Sequence, residues 1–290
     1  EGFLPEYLAN ILLDHDFDAE RSFRERGINR SVRFIACSGI VKNQILMKQI
    51  QDIMQLLQKE YEYPVDIEFT VNLSETGEYS INLLQCRPLK VFKDIGKAQI
   101  PEDIAEEKII LENVHSSMGL SRNVKIDHIV LVDSIAYYNM PYAKKPNVAK
   151  LIGTINWKYK GKNKHMLLMV PGRIGTSSPE LGVPTTFADI SEFEAICEIE
   201  EKKAGYNPEL SYGSHIFQDL VEAEILYTAV FANEKTLRFA PEKLAEYPDI
   251  VSLFTEDPEL KQVVHVYDMS KVSCELCNDL QNERLVLYQQ

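Results

Sequence analysis

Little in this sequence would take the protein out of a reduced aqueous compartment. No apolar run approaches the ~20 residues that cross a bilayer, and the opening EGFLPEYLAN lacks the basic-then-apolar layout of a secretory signal. Cysteine is scarce: there are five in 290 residues, an odd number that fits reduced thiols better than a disulfide framework. Positive charge is in the minority, and a net charge of -13 disfavours general attraction to nucleic acid or to anionic lipid. No segment is of low complexity, and no internal repeat is visible. The expectation is a cytoplasmic protein with neither nucleic-acid nor membrane partners. Glu1 in place of a starting Met suggests a fragment of a longer polypeptide.

What is present is an ordinary globular composition, 45% hydrophobic and 26% charged, so a buried core is expected. At 290 residues the chain exceeds the ~250 at which single cores stop growing, so two domains are expected. From Asn43 to Glu60, Leu46, Ile50, Ile53 and Leu57 recur at spacings of four, three and four without Gly or Pro, which predicts an amphipathic helix. After Pro64 the period changes to two. Val65, Ile67, Phe69 and Val71 alternate with Asp66, Glu68, Thr70 and Asn72, a strand with one apolar face. Ser74 to Glu78, with Gly77, reads as a hairpin turn into a second strand, YSINLLQCR, that Pro88 ends.

The register of this hairpin decides which side chains share a face. Pairing Val71 with Ile81 and Phe69 with Leu83 satisfies the apolar face, but a regular ladder would then put Gln85 and Arg87 on it too. The adjacent Leu83 and Leu84 break the alternation. A bulge there would turn Leu84 and Cys86 inward and set Gln85 and Arg87 opposite Glu68 and Asp66.

Residues 1–95 are assigned to a first domain, the charged stretch 96–112 to a linker, and 113–290 to a second domain. In the second domain a strand is expected over Ile126–Asp133, a helix over Pro146–Trp157, and an apolar strand over His165–Val170. A strand at EAICEIE and one long helix over HIFQDLVEAEILYTAVF follow, then short strands and a last helix after Pro248. Alternating strands and helices predict an α/β (α+β) fold.

Phosphoryl transfer from ATP needs hard oxygen ligands for magnesium and a guanidinium to offset phosphate charge. Glu68, Gln85 and Arg87 supply that set, with Asp66 behind Arg87. On pattern alone, charged residues on the open face of a hairpin are more often simply solvated. YPVDIEFTVN followed by YSINLLQCRPL, however, resembles the end of the nucleotide-binding domain of pyruvate phosphate dikinase and phosphoenolpyruvate synthase. In that family an Asp-Ile-Glu strand precedes a Leu-Gln-x-Arg-Pro strand, and the preceding helix is similar as well. The resemblance covers about 45 residues and implies a partial ATP-grasp-like subdomain. It makes Glu68 and Gln85 the Mg2+ ligands and Arg87 the phosphate-contacting, catalytic arginine, with ATP as ligand. The family's glycine-rich lysine loop, its phosphorylated Thr-Ser-His histidine and its pyruvate-binding barrel are not found, and nothing of the family is legible before Val32. The resemblance thus implies the tail of a split nucleotide domain, inactive alone and completed by a missing N-terminal half.

The second domain offers weaker signals. MVPGRIGTSSPELGVPTTFADIS carries Gly172, Gly175 and Gly182 with hydroxyls beside Arg173, and such a loop could cradle an anion through backbone amides and the guanidinium, although Gly and Pro also build ordinary turns. The alternative function is accordingly a non-catalytic binding or regulatory module using the Gly172–Gly182 loop for an anionic ligand or a partner. This segment, with GSHIFQDL after it, resembles a C-terminal region attached to dikinase-type nucleotide domains in some large bacterial proteins. His215 reads as a cap or packing residue, with Asp219 one turn on. Cys274 and Cys277 form CxxC with His265 upstream, but no fourth zinc ligand accompanies them.

Overall fold

The computed structural model describes residues 6–36, 38–74, 78–89, 96–200, 211 and 215–290. The chain divides into two compact units, Glu1–Val91 and Phe92–Gln290.

The first unit runs α1 (Glu6–Leu12), β1 (Leu13–His15), α2 (Phe17–Glu25), β2 (Arg33–Ile35), α3 (Ser38–Lys42), α4 (Gln44–Tyr61), β3 (Val65–Leu73) and β4 (Tyr79–Pro88). The amphipathic helix predicted from period is α4. The Asn43 side chain accepts the Leu46 amide at 3.1 Å as its N-cap, and Glu62 closes it in the left-handed conformation (φ 52°). Its Leu46 and the first residue of β3, Val65, are buried. β1 pairs antiparallel with β2, Leu13 opposite Ile35, so ordered structure exists ahead of Val32, where sequence periodicity showed none. Three-residue strands carry too few alternations to be read from period.

The second unit begins with β5 (Ile109–Val114), β6 (Ser117–Met118), β7 (Arg122–Lys125), β8 (His128–Val132), α5 (Ser134–Asn139), α6 (Lys145–Tyr159) and β9 (Met166–Pro171). It continues with β10 (Arg173–Ile174), β11 (Gly182–Val183), β12 (Ala195–Ile199), α7 (His215–Glu222), β13 (Leu226–Val230) and β14 (Thr236–Phe239). It closes with α8 (Leu260–Val263), β15 (Val264–Asp268), β16 (Cys274–Asp279) and β17 (Arg284–Gln289). A six-stranded sheet has the order β15-β8-β9-β12-β13-β6, and a five-stranded antiparallel sheet the order β14-β5-β17-β16-β7.

In the larger sheet β8, β9, β12 and β13 are parallel and advance in chain order. Right-handed crossovers then bring the connecting helices to the same face. That face packs on α5, α6, α7 and α8 through Tyr137, Ile152, Leu220 and Val263 among others. The opposite face packs on the smaller sheet, with Ile129, Leu167, Met169 and Leu226 meeting Leu111, Leu276 and Leu287. The result is three layers, helices on sheet on sheet, an α/β architecture as the sequence predicted.

Three expectations are corrected. The stretch read as a linker over 96–112 ends in the first residues of β5, where Ile109, Ile110 and Leu111 are buried. The long helix expected from His215 stops at Glu222, Glu224 turns the chain at φ 60°, and LYTAV becomes β13. A strand buried on both faces carries no alternation of exposure to separate it from a helix. The end of the chain forms β16 and β17, not a helix. Among the described residues no helix is long and apolar enough to cross a membrane.

His128, at the start of β8, is buried, and its Nε2 lies 3.1 Å from the Tyr159 hydroxyl. Its Nδ1 has no hydrogen-bond partner among the described residues. Burial holds the imidazole below its ordinary value; Asp268 and Asp127 pull it up only in part, and Lys164 pushes it further down. A depressed histidine binds fewer protons folded than unfolded, so its contribution is present above ~6.5 and is lost as the pH falls. The Asp127 and Asp268 carboxyls are held low, so their contributions fade only in more acid solution. We expect the melting temperature of His128→Gln to fall less steeply than wild type between pH 7 and pH 5. Parallel curves for the two proteins would refute the assignment.

Candidate functional site on the β3–β4 hairpin

The ladder pairs Val71 with Ile81 and Phe69 with Leu83, shifts by one residue between Glu68 and Phe69, and then pairs Glu68 with Gln85, Ile67 with Cys86 and Asp66 with Arg87. This is the bulge anticipated from the Leu83–Leu84 pair, with Leu84 the unopposed residue. It lets Leu83 stay on the apolar face while two residues later Gln85 stands on the polar one. One part of the expectation fails: Cys86 is half-buried opposite Ile67, but Leu84 is 63% exposed. An unopposed bulge residue is freed from the pleat, and here its side chain turns to solvent. At the hairpin end Ser74 N donates to Glu78 O at 2.8 Å, and Glu78 N donates to Ser74 Oγ at 3.0 Å. Residues 75–77, including Gly77 of the predicted turn, lie outside the described residues.

The polar face thus presents Glu68 and Gln85 side by side, with Asp66 and Arg87 as the next pair but one along the same face. Arg87 Nε approaches Asp66 Oδ2 at 3.4 Å, a loose contact that orients the guanidinium. Glu68, Asp66 and Arg87 are half-buried and Gln85 is exposed. A carboxylate and an amide oxygen in one cross-strand pair are hard donors suited to magnesium, which takes few protein ligands when phosphates and water complete its six positions. Among the described residues no three His, Cys, Asp or Glu side chains converge on one point, so this two-oxygen pair is what the hairpin offers a cation.

Arg173 stands in the second unit, on β10, directly after Gly172 at the carboxyl end of β9. The loop around it spends its amides internally. Gly172 N donates to Ile199 O, Arg173 N to Leu181 O and Gly175 N to Val183 O, at 3.0, 2.9 and 3.1 Å. Ile174 N donates to Glu198 Oε1 at 2.7 Å. Gly182 is required for close approach, because a Cβ there would sit 2.0 Å from the Arg173 carbonyl oxygen. Gly182 of the predicted anion loop therefore serves backbone packing.

That loop is fastened by a residue the sequence did not single out. Glu198, on β12, is wholly buried. Besides Ile174 N it accepts Ser211 N at 2.7 Å, Ser211 Oγ at 2.5 Å and the Tyr227 hydroxyl at 2.8 Å. Burial pushes its carboxyl above the ordinary range, and the four donors offset part of that. In the first unit, Glu20 accepts His15 Nδ1 at 2.8 Å and Val32 N at 3.0 Å, tying α2 to β1 and the chain entering β2. These contacts, His15 first, hold the Glu20 carboxyl below its ordinary value.

The CxxC motif resolves as structure. Cys274 faces the core between the two sheets while Cys277, three residues on in the same strand, faces the opposite side. Burial pushes both thiols up to about 12, so neither is a ready ligand or nucleophile. His215 opens α7, as expected of a helix-start residue, and its side chain lies outside the described residues.

Residues 14–108 match the family model described as pyruvate phosphate dikinase, AMP/ATP-binding domain. No curated protein and no solved structure matches the chain. The match covers about a third of the sequence and contains the whole hairpin. It begins at Asp14, within β1, so the family's text extends well ahead of the stretch legible by eye.

Proposed function

Residues 14–108 are related to the nucleotide-binding domain of the pyruvate phosphate dikinase family, and from that relationship we propose that the polar face of the β3–β4 hairpin is the metal-and-phosphate side of an ATP site. The observation that carries the reading is the bulged register, which sets Gln85 opposite Glu68 and Arg87 opposite Asp66 inside the matched segment. Glu68 and Gln85 would hold Mg2+ between them. Bound there, the cation would neutralise phosphate charge and fix the orientation of the nucleotide. Arg87 contacts phosphate oxygens and stabilises the charge that develops on them, and Asp66 keeps its fork aimed along the strand face. The reaction class is ATP-dependent phosphoryl transfer in a cytoplasmic protein. A further half-site from outside this hairpin, glycine-rich and lysine-bearing, completes the enclosure of the triphosphate, so turnover by this chain alone is not expected.

Calorimetric titration with ATP tests the reading. Wild type is expected to bind ATP with a component that requires magnesium. Glu68→Ala and Gln85→Ala should each remove that component while leaving the melting temperature within a few degrees of wild type. A folded wild-type chain that binds no ATP, or binds it equally well with and without magnesium, would overturn the proposal.

A further inference from the structure

A cleft of about 320 Å³ opens in the second unit at the carboxyl ends of β8 and β12, where the two sheets part. One wall is formed by Leu131, Asp133 and Ile199, the other by Phe239 and Glu242, and His265 and Tyr267 of β15 close the end. Its size is at the lower bound of ligand pockets, ~300–1,000 Å³, and the carboxyl ends of parallel strands are where α/β folds most often place ligands. Nothing in the ATP reading uses it.

The polar groups around this cleft have one character. His265 Nδ1 lies 2.8 Å from Asp249 Oδ2, which ties the ring to a carboxylate outside the cleft lining. Asp133 gives one oxygen to the Ala136 amide at 2.7 Å, and its second oxygen adds negative charge. Glu242 stands exposed at the rim. Among the described residues no lysine or arginine lines the cleft. Tyr267 is only 7% exposed, and it lies on the cleft lining with no protein hydrogen-bond partner for its hydroxyl among the described residues. Burial, then Asp249 and Asp133, push that phenol above its ordinary value. Leu131, Ile199 and Phe239 supply an apolar floor.

We propose that this cleft is a binding site for a small organic cation, an amine or amidine head on an apolar body. The head donates hydrogen bonds to the Asp133 and Glu242 carboxylates and the Tyr267 hydroxyl, and the apolar body covers Leu131, Ile199 and Phe239. An anionic ligand would meet the Asp133 and Glu242 carboxylates, with no lysine or arginine among the described lining residues to offset them.

The test is an amide chemical-shift titration of the full chain with phenethylamine, its neutral analogue 2-phenylethanol and the anion phenylacetate. Phenethylamine should produce saturable shifts confined to residues 131–135, 239–245 and 265–267, about ten-fold tighter than the alcohol, while phenylacetate produces none. Glu242→Gln and Tyr267→Phe, neither of which removes a core contact, should each weaken the amine by about five-fold and leave the alcohol unchanged. The proposal fails if amine and alcohol titrate alike, if no saturable shifts reach the cleft, or if both variants bind the amine as wild type does. The result is independent of the ATP site, which is read by a different ligand on the other unit.

Discussion

Glu198→Ala should lower the melting temperature of the Phe92–Gln290 unit by roughly 10 °C. The carboxylate is wholly buried and receives hydrogen bonds from Ile174 N, Ser211 N, Ser211 Oγ and the Tyr227 hydroxyl. Alanine removes the acceptor and leaves these donors in a space closed to water. An unsatisfied buried polar group costs about 1–3 kcal/mol. Some donors will find new partners as the loop relaxes, so a total near 4 kcal/mol is expected, in the range of ~3–5 kcal/mol for breaking a buried charged network. For a unit of this size each kcal/mol is worth about 2–4 °C. Glu198→Gln keeps one oxygen but points an NH2 group at other donors, so its loss should be about half as large. Thermal unfolding followed by near-ultraviolet circular dichroism measures both; melting within a degree of wild type would mean that the loop rests on other contacts.

The second large effect concerns Arg87. With phosphate bound, a two-pronged guanidinium contact is worth roughly 3 kcal/mol, so Arg87→Ala should weaken magnesium-dependent ATP binding by about a hundred-fold. Arg87→Lys restores the charge but not the fork, and should recover only part of the loss. Asp66→Asn is informative beside them. It removes the charge that aims Arg87 but touches no phosphate, so a loss of a few-fold is expected. A loss as large as that of Arg87→Ala would move Asp66 from an orienting role to direct contact with the ligand. Binding that is unaltered in Arg87→Ala would remove this arginine from the site.

The first unit was readable where side chains alternate against a single neighbour. β3 and β4 are adjacent in sequence, so period, turn and the Leu83–Leu84 irregularity sufficed to place the bulge and the Glu68–Gln85 pair. The inward turn assigned to Leu84 failed because the text records which residue breaks the alternation but not which way it leaves the pleat. In the second unit the partners are remote. β13 is buried on both faces and so carries no alternation of exposure, and it is indistinguishable by period from the helix before it. β5 begins inside a charged stretch, and its burial depends on strands far along the chain. The Glu198 network and the cleft beside His265 and Tyr267 each draw on three or more separated segments, and no local spacing marks them. CxxC misleads for the opposite reason: its spacing suits a turn, but a strand sends the two thiols to opposite faces.

The strand order of the smaller sheet bears on how this chain acquires its shape during synthesis. β17 lies between β5 and β16, and Arg284 Nε donates to Glu112 Oε1 across 172 residues of sequence. A nascent chain emerging amino end first therefore presents β5 with one lateral neighbour, β14, and must hold the other edge open until residues 284–289 leave the ribosome. During that interval the apolar faces of Leu111 and of the larger sheet have no finished partner layer, the state in which long-range sheets are slowest to close and most open to aggregation.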